Sequence, residues 1–318
     1  MKKGDILMAD KIKKSDIKKA HRILKKLPIF VSVLIVILVV AYFLMDSMGI
    51  SIWSLLNKRD PVEGQVSVHI IDVGQADSIL IETADGYMLI DAGENESEEA
   101  LRTYLRNMGI STLKYLVLSH AHADHVGGAD MILDDFKVEN IVYDNYDSCY
   151  SNTLVSLINR EGANIIDPQT KEKFHMGDAE FTVLFATNDK KDHGDDVNDY
   201  SIVLRMDFGE SSFVFTGDAT TSVESSILDS FNKYELDCDF LKSGHHGSST
   251  SSGKKFISTI TPEIVAISCG IGNKYGHPHD SVMETYSEAG SKVYRTDVSG
   301  SMVFVSDGTN IVYQGGTK

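Results

Sequence analysis

Cysteine is scarce in this chain of 318 residues, which contains only Cys149, Cys238 and Cys269. The three lie far apart and form no C-x-x-C pair, so the sequence indicates neither a zinc knuckle nor a disulfide framework. Free cysteines are usually buried, and they then behave as small apolar side chains. We therefore expect all three to fill space in the core.

A surplus of basic side chains is also missing, since 30 lysines and arginines stand against 46 aspartates and glutamates. The imbalance is uneven: residues 1–59 contain 12 basic and 4 acidic side chains, and the remainder contains 18 basic and 42 acidic ones. The acidic body repels polyanions at long range, which argues against tight, purely electrostatic binding of nucleic acid. The basic N-terminus instead suits anionic lipid head groups.

Long apolar runs are absent except for LPIFVSVLIVILVVAYFLM at residues 27–45. This run has no charged side chain and about the length of a helix that crosses a bilayer. A buried core helix and a cleaved signal peptide are the alternatives. A core helix of this length rarely lacks a polar face, and the sequence DSMG that follows does not resemble a cleavage site. The sequence therefore predicts a single transmembrane signal anchor.

Eight lysines and arginines lie between Lys11 and Lys26, just before the apolar run. Because positively charged flanks stay on the inner side of the membrane, we expect the N-terminus in the cytoplasm and the remainder of the chain outside the cell membrane. The predicted parts are a basic cytoplasmic tail (1–26), the anchor (27–45), a linker (46–65) and a globular domain (66–318).

Short strand-like and helical segments alternate in the globular domain. Two apolar runs flank Asp85-Gly86, as the arms of a β-hairpin flank its turn. Residues 97–108 have apolar side chains at helical spacing, and the strand-like LKYLVLS follows them. Strands and helices continue in mixed order, which predicts an α/β fold with two packed sheets covered by helices.

The densest cluster of metal-binding side chains is SHAHADHVGG at residues 119–128. His120, His122, Asp124 and His125 lie within six residues, and only alanines separate them. Imidazoles and carboxylates are the natural ligands of Zn²⁺ and related divalent ions. In a loop after a strand, the first two histidines can point to one side and Asp124 and His125 to another. The loop therefore predicts a site for two divalent metal ions.

This H-x-H-x-D-H motif resembles the signature of the metallo-β-lactamase superfamily, and the resemblance extends from Val66 to the C-terminus. Further landmarks of that family are IDAG with Asp91, TGD with Asp218 and LKSGH with His245. The resemblance implies an αββα sandwich in which Asp218 bridges two metals. It also implies that Asp91 accepts a hydrogen bond from a metal-bound histidine and so orients it.

The ligand sets follow from the same resemblance. The first metal would be held by His120, His122 and Asp218, and the second by Asp124, His125, Asp218 and His245. We favour His245 because it directly follows a strand and a glycine. The neighbouring His246 is the alternative ligand, or it faces the substrate.

Within the superfamily, the closest resemblance is to the ComEC-like branch, the hydrolase domain of competence DNA-uptake proteins and its stand-alone relatives. It is carried by DVGQAD at 72–77, HHGS at 245–248, YGHPH at 275–279 and YRTD at 294–297. Asp72 is thereby implied as a second carboxylate behind the metal ligands. No multi-span channel accompanies these motifs, so we expect no DNA-conducting pore from this chain alone.

The resemblance departs from many superfamily members at the middle histidine ligand. The chain has DDVNDYS there, which resembles the N-x-x-S of the ComEC-like branch and makes Asn198 the candidate near the first metal. His193, in an acidic loop, is the rival. A site with few nitrogen ligands favours Mn²⁺ beside Zn²⁺ as the bound ion.

The chemistry expected of such a site is hydrolysis by a metal-activated water. Asp124 would accept the water proton, and His277 would contact the substrate or donate a proton to the leaving group, as the resemblance implies. Asn198, Ser248 and His277 would hold the remaining phosphate oxygens. A surface turn is the alternative interpretation of His277.

The preferred function is therefore a phosphodiesterase outside the cytoplasmic membrane, acting on DNA, nucleotides or an envelope phosphodiester. Because the globular domain is acidic, we rank a small or polymer-linked phosphodiester at least as high as DNA among the candidate substrates. A β-lactam or another ester ranks lower. The alternative from another class is a non-catalytic metal-binding sensor or assembly module. The sequence leaves the oligomeric state open.

Overall fold

The computed structural model describes residues 31–42, 44, 62–144, 150–187 and 196–317. The chain divides into two compact units, Met1–Leu56 and Asn57–Lys318. In the first unit, residues 31–42 are helical and nearly all of their side chains are exposed. The predicted anchor lies partly outside the described residues, as does most of the predicted linker, and the predicted tail lies wholly outside them. Within the described part, no helix is both long and apolar enough to cross a bilayer.

Two mixed β-sheets form the second unit over its described residues. The strands are β1 (Val66–Ile70), β2 (Ile79–Thr83), β3 (Gly86–Ile90), β4 (Thr112–Leu118), β5 (Lys137–Tyr143), β6 (Asn164–Ile166), β7 (Lys173–Met176), β8 (Ala179–Phe185), β9 (Val203–Phe208), β10 (Ser211–Phe215), β11 (Phe240–Lys242), β12 (Ile264–Ile267), β13 (Lys292–Arg295), β14 (Ser301–Ser306) and β15 (Ile311–Thr317). The first sheet has the order β15-β14-β1-β2-β3-β4-β5-β6, and the second has the order β13-β12-β11-β10-β9-β8-β7. Neighbours from β3 to β6 and from β10 to β13 run parallel, and all other neighbours run antiparallel.

Helices cover the outer faces of both sheets. They are α1 (Glu98–Asn107), α2 (Ala123–Val126), α3 (Ala129–Asp135), α4 (Asn152–Glu161), α5 (Thr221–Ser230), α6 (Lys233–Leu236), α7 (Lys254–Ile260), α8 (Asp280–Ala289) and α9 (Thr296–Ser299). Apolar residues of α1, α3 and α4 form one buried cluster with the outer face of the first sheet. Residues of α5, α7 and α8 form another with the second sheet.

The central core lies between the two sheets, as the alternation of side chains along each strand requires. Val66, Val68 and Ile70 of β1 face this core together with Phe213 and Phe215 of β10. Leu80 of β2 faces the helices instead, while its neighbours Ile79 and Ile81 face the core. Burying one large apolar side chain contributes roughly 1.5–3 kcal/mol, so this layer is a main source of stability. The predicted αββα sandwich is confirmed.

The strand order brings several strand ends to one edge of the sandwich. In the first sheet, β3 and β4 run parallel in a register that pairs Ile90 with Val117. In the second, β10 to β12 run parallel in a register that pairs Phe215 with Lys242 and Lys242 with Ala266. The loops after these strands therefore open at the same edge. They carry the side chains that the sequence singled out.

The cysteine prediction can be checked at two of its three positions. Cys238 and Cys269 are buried in the cluster under α5, α7 and α8. Burial raises the pKa of the Cys269 thiol to about 11, which keeps it protonated at neutral pH. Both therefore act as core residues, and Cys149 lies outside the described residues.

Candidate metal centre

The histidine loop turns sharply where β4 ends and α2 begins. His120 follows the end of β4, and His122 has an extended backbone as the residue that precedes α2. Their facing ring nitrogens, Nε2 of His120 and Nδ1 of His122, are 3.1 Å apart. A Cβ on Gly128 would lie 2.4 Å from the carbonyl oxygen of Ala92, so only glycine lets the loop pack this closely. The loop therefore points its first two histidines in one direction.

Two of the groups of potential ligand atoms around this loop share Asp218. In one, atoms of His120, His122 and Asp218 lie within 4.8 Å of one another. In the other, atoms of Asp124, His125, Asp218 and His246 do so. Asp218 belongs to both groups. It directly follows Gly217, whose left-handed backbone (φ +50°) turns the chain after β10.

The atom types and the missing hydrogen bonds of these potential ligands fit divalent metal ions. Nε2 of His125 and Oδ1 of Asp218 are buried, face each other at 3.2 Å and have no hydrogen-bond partner among the described residues. Buried polar atoms without partners are uncommon in folded proteins, and one explanation is an ion between them. Imidazole nitrogens and carboxylate oxygens are the donors that Zn²⁺ and Mn²⁺ accept. Each group therefore suits a divalent ion.

Asp91, which the resemblance implied as a hydrogen-bond acceptor behind the ligands, lies against the histidine loop. Its two carboxylate oxygens accept hydrogen bonds from the backbone N–H and the hydroxyl of Ser119, both at 2.7 Å, and from Nδ1 of His125 at 2.8 Å. Burial raises the pKa of Asp91, although His125 opposes the shift. Burial works against ionisation of His125, yet Asp218 and Asp91 raise its pKa well above the usual value. With Nδ1 engaged, the ring presents Nε2 to an ion.

The structure corrects the choice between the two adjacent histidines. Both have left-handed backbones in the 3₁₀ turn Gly244–Gly247, with φ of 48° at His245 and 54° at His246. This turn sends the second ring inward, so the side chain of His246 is 2% exposed and that of His245 is 24% exposed. His246 thereby takes the place in the second group that the sequence analysis gave to His245.

His246 is held in an orientation that suits a metal ligand. Its Nδ1 donates to the carbonyl oxygen of Ser268 at 3.1 Å, which leaves Nε2 directed towards Asp124 Oδ2 at 3.2 Å. Burial opposes protonation, but Asp218 and Asp77 raise the pKa of His246 to about 9. The neighbouring His245 instead places Nε2 3.5 Å from Asp218 Oδ2 and Nδ1 2.9 Å from the Thr250 hydroxyl.

A buried ion pair beneath His246 was missed by the sequence analysis. Asp77 accepts a hydrogen bond from Lys242 Nζ at 2.7 Å, and its other oxygen lies 3.4 Å from His246 Nδ1. Asp72, which was expected behind the ligands, is exposed, and its backbone N–H donates to Ser301. It lies before the turn that carries the chain inward. Asp77, five residues later in the same DVGQAD segment, therefore takes the position expected for Asp72.

A cavity of about 260 Å³ opens over the two groups. It is lined by Gln75, His122, Ala123, Asp124, Asp218, His245, His246, Tyr275 and His277. Two candidates for phosphate binding, Asn198 and Ser248, are not among these lining residues. The Ser248 hydroxyl interacts with Thr250, and Asn198 is buried with an amide oxygen that has no hydrogen-bond partner in the described part of the chain. His193 lies outside the described residues.

The tautomer of His277 follows from a side chain that the sequence analysis did not single out. The backbone N–H of Gly270 donates to Oε1 of Gln75, so the amide nitrogen of Gln75 faces His277 Nδ1 at 3.3 Å. An amide NH₂ can only donate, so Nδ1 accepts and the neutral ring carries its proton on Nε2. Burial, together with His245 and His246, lowers the pKa of His277 to about 4. The ring is therefore neutral at pH 7.

Comparison with known proteins identifies a matching family model and similar sequences. A family model described as the metallo-beta-lactamase superfamily matches residues 71–271. The ComE operon protein 3 of Bacillus subtilis is 30% identical over 262 residues, which cover 76% of this chain and 33% of that protein. Competence protein ComA of Neisseria gonorrhoeae is 31% identical over 244 residues, which cover 76% of this chain and 32% of that protein. The chain thus spans about a third of the length of these relatives.

Solved structures support the same fold. The metallo-beta-lactamase fold protein YhfI from Bacillus subtilis superposes with a TM-score of 0.54, covering 76% of this chain and 99% of that one. The two sequences are only 16% identical, so this likeness concerns the fold. All residues of the two ligand groups fall within the range that the family model matches.

Proposed function

Because the chain belongs to the metallo-β-lactamase superfamily, we propose that it is a membrane-anchored hydrolase that uses two divalent metal ions to cleave phosphodiester bonds outside the cytoplasmic membrane. The observation that carries the proposal is Asp218, which contributes to two adjacent groups of potential ligands beneath an open cavity. A carboxylate shared in this way would bridge the two ions of a two-metal hydrolytic centre.

The two groups define which side chains would hold the ions. His120, His122 and Asp218 would bind one ion, and Asp124, His125, Asp218 and His246 would bind the other. Zn²⁺ and Mn²⁺ are the candidates, given the mixture of nitrogen and oxygen ligands. Bound there, such ions lower the pKa of a coordinated water and neutralise charge on a phosphoryl oxygen.

The chain's own side chains account for the proton movements. Asp124 lines the cavity and is partly exposed, so its carboxylate can accept the proton of the attacking water. Neutral His277 directs a protonated Nε2 away from Gln75, because Gln75 occupies its Nδ1. A neutral ring stabilises the leaving oxygen by donating a hydrogen bond, which corresponds to the substrate contact, rather than the proton donation, that the resemblance implied for His277.

Two features favour a phosphodiester as the substrate. One of the relatives that the chain resembles is named a competence protein, and both relatives match 76% of this chain. The residues after Arg59 are strongly acidic, which favours a small phosphodiester or a chain end over a long duplex. A β-lactam substrate ranks lower because the resemblance is to this branch of the superfamily.

Membrane attachment rests on the N-terminal sequence. The run at 27–45 has no charged side chain, and the basic residues that precede it favour a cytoplasmic N-terminus. The apolar side chains at 31–42 are mostly exposed, which suits a segment with a lipid partner. The globular domain would then work outside the cytoplasmic membrane.

Turnover of bis-p-nitrophenyl phosphate tests this function. The full chain, purified in detergent, would be stripped of metal and reconstituted with Zn²⁺ or Mn²⁺. We expect the metal to restore turnover in the wild-type chain and in His175→Ala, an exposed histidine on β7, but not in His122→Ala. Two bound ions without turnover would instead support the non-catalytic module. Turnover of a chromogenic β-lactam in place of the diester would reassign the substrate.

A further inference from the structure

An exposed aromatic side chain stands at the rim of the cavity. Tyr275 lines the cavity, yet the residue is 55% exposed, and Ile271, four positions earlier in the chain, is 82% exposed. Large apolar and aromatic side chains at the mouth of a binding site commonly contact a ligand. The rim therefore offers an apolar surface next to the polar metal-binding groups.

The loop that carries Tyr275 is held rigidly by one asparagine. The side-chain NH₂ of Asn273 donates to the carbonyl oxygens of Gly270 at 3.0 Å and His277 at 2.7 Å. Its Oδ1 accepts from the backbone N–H of His277 at 2.9 Å. Both ends of the loop are thus tied to a single side chain. The backbone that carries Tyr275 is thus held before any ligand arrives, which reduces the entropic cost of binding.

The rings around Tyr275 form a path from the rim to the metal-binding groups. Tyr275 stacks on His277, with ring centroids 5.5 Å apart and planes at 25°. The ring of His277 in turn lies 6.4 Å from that of His246. A substrate whose phosphate sits at the metal-binding groups would therefore place its next substituent beside Tyr275.

The positive charge of Lys274 beside Tyr275 limits which substituents of a substrate can bind to the tyrosine ring. Nζ of Lys274 lies 4.9 Å from the centre of the tyrosine ring. This ammonium repels a second cation such as a choline head group, whereas it attracts a phosphate. A flat, neutral aromatic ring gains stacking energy on tyrosine without that repulsion.

We propose that Tyr275 and Lys274 form a subsite for the nucleobase of a nucleotide-type phosphodiester, an inference that rests on the proposed function. The base stacks on Tyr275, Lys274 attracts the flanking phosphate, and the scissile phosphate lies over the metal-binding groups. A base must be unpaired to reach a protein ring, so the substrates are single-stranded ends or small nucleotide diesters.

Two chromogenic esters with the same leaving group test the subsite. Thymidine 5′-(p-nitrophenyl phosphate) carries a base, and methyl p-nitrophenyl phosphate does not. We expect Tyr275→Ala in the metal-loaded full chain to lower the thymidine-to-methyl ratio of kcat/KM by about tenfold, chiefly through KM. Tyr275→Phe keeps most of the ratio. Tyr234→Ala, at a residue that is 93% exposed on α6, leaves it unchanged.

Several outcomes would overturn the subsite. Equal losses on both esters would mean that Tyr275 contacts the leaving group or only supports His277. A selective loss on p-nitrophenyl phosphorylcholine would assign the rim to a cationic head group. If neither ester is turned over, the proposed function fails, and the subsite is tested by the binding of thymidine 5′-monophosphate to the metal-loaded chain. Binding that Tyr275→Ala weakens would support the subsite. Binding that is independent of Tyr275 would rule the subsite out.

Discussion

Among single residues, Lys242 and Asp77 form a fully buried ion pair, with side-chain exposures of 0% and 1%. Removing one partner leaves the other charge buried and uncompensated, which typically costs about 3–5 kcal/mol. We therefore expect Lys242→Met to lower the free energy of unfolding by roughly that amount in urea titrations. Adding Asp77→Asn should recover part of the loss.

A surface pair provides the control for this prediction. Lys254 and Glu288 are bonded at 2.7 Å on the outer face of α7 and α8, and both side chains are more than half exposed. We expect Lys254→Met to change stability little, because water screens such pairs. A Lys242→Met chain as stable as the Lys254→Met chain would show that removing one partner of the buried pair does not destabilise the fold.

Glu224 gives the fold a specific dependence on pH. It is only 4% exposed, and burial raises its pKa to about 7, although the backbone N–H groups of Ser252 and Gly253 donate to it and oppose the shift. An unfolded glutamate titrates near 4.5, so between these values the folded chain binds more protons. The stability that protonated Glu224 contributes is therefore fully present below the pKa of the unfolded glutamate and is lost as the pH rises through about 7.

The variant Glu224→Gln isolates this effect, since it cannot ionise. We expect the stability of the wild type, relative to Glu224→Gln, to fall by roughly 2 kcal/mol between pH 5 and pH 8. Urea unfolding of both chains at the two pH values measures the difference, and other titrating groups cancel in the comparison. A difference that does not change with pH would mean that Glu224 ionises freely in the folded state.

The sequence singled out the histidine loop and Asp91 behind it, but not the buried ion pair beneath His246. His120, His122 and Asp124 lie within a few residues, so their spacing alone predicts a common site. Lys242 and Asp77 are 165 positions apart, and only the packing of the two sheets brings them together. The choice of His246 depends on the backbone angles of a turn, which the identity of two adjacent histidines does not reveal.

At the level of elements, the contact between the turn Gly244–Gly247 and the loop of His277 sets the width of the site. Gly247 has φ +84°, and a Cβ there would lie 2.5 Å from Cβ of Pro278. We expect Gly247→Ala to separate the two segments and to lower kcat/KM for bis-p-nitrophenyl phosphate at least tenfold, because His246 and His277 move apart. Steady-state kinetics of the metal-loaded chain measure the loss.

Gly162, which ends α4, makes the matched control. It has φ +74°, and a Cβ there would meet nothing within 4 Å. Both substitutions strain a left-handed backbone and cost about 1–2 kcal/mol. Only Gly247→Ala should lose activity, so an equal loss in Gly162→Ala would attribute the effect to reduced stability.

Helices and strands with strong local patterns were predicted well. The helix expected at 97–108 is α1 (Glu98–Asn107), and the hairpin expected around Asp85-Gly86 is formed by β2 and β3. Short elements such as β6 and β7 were not singled out, because each has only three or four residues, too few for a pattern to identify a strand. Their pairing with neighbouring strands, rather than their own sequence, makes them strands.

On the scale of the whole molecule, the proposed anchor predicts a particular mode of membrane association. A basic N-terminus alone would bind lipid electrostatically and would be released by salt, whereas an inserted apolar segment is released only by detergent. We expect the full chain to sediment with membranes in 1 M salt and to dissolve in detergent. A variant without residues 27–45 should stay in the supernatant. Release of the full chain by salt alone would contradict the anchor.

The sandwich brings strand ends from both sheets to one edge, and with them the two ligand groups that share Asp218. The central claim is that this arrangement works as a two-metal phosphodiesterase. Its most direct test is the turnover of bis-p-nitrophenyl phosphate as Zn²⁺ or Mn²⁺ is added stepwise to the stripped chain. The account predicts that turnover rises until two equivalents per chain are bound and is lost in Asp218→Asn. Full turnover at one equivalent, or in Asp218→Asn, would contradict it.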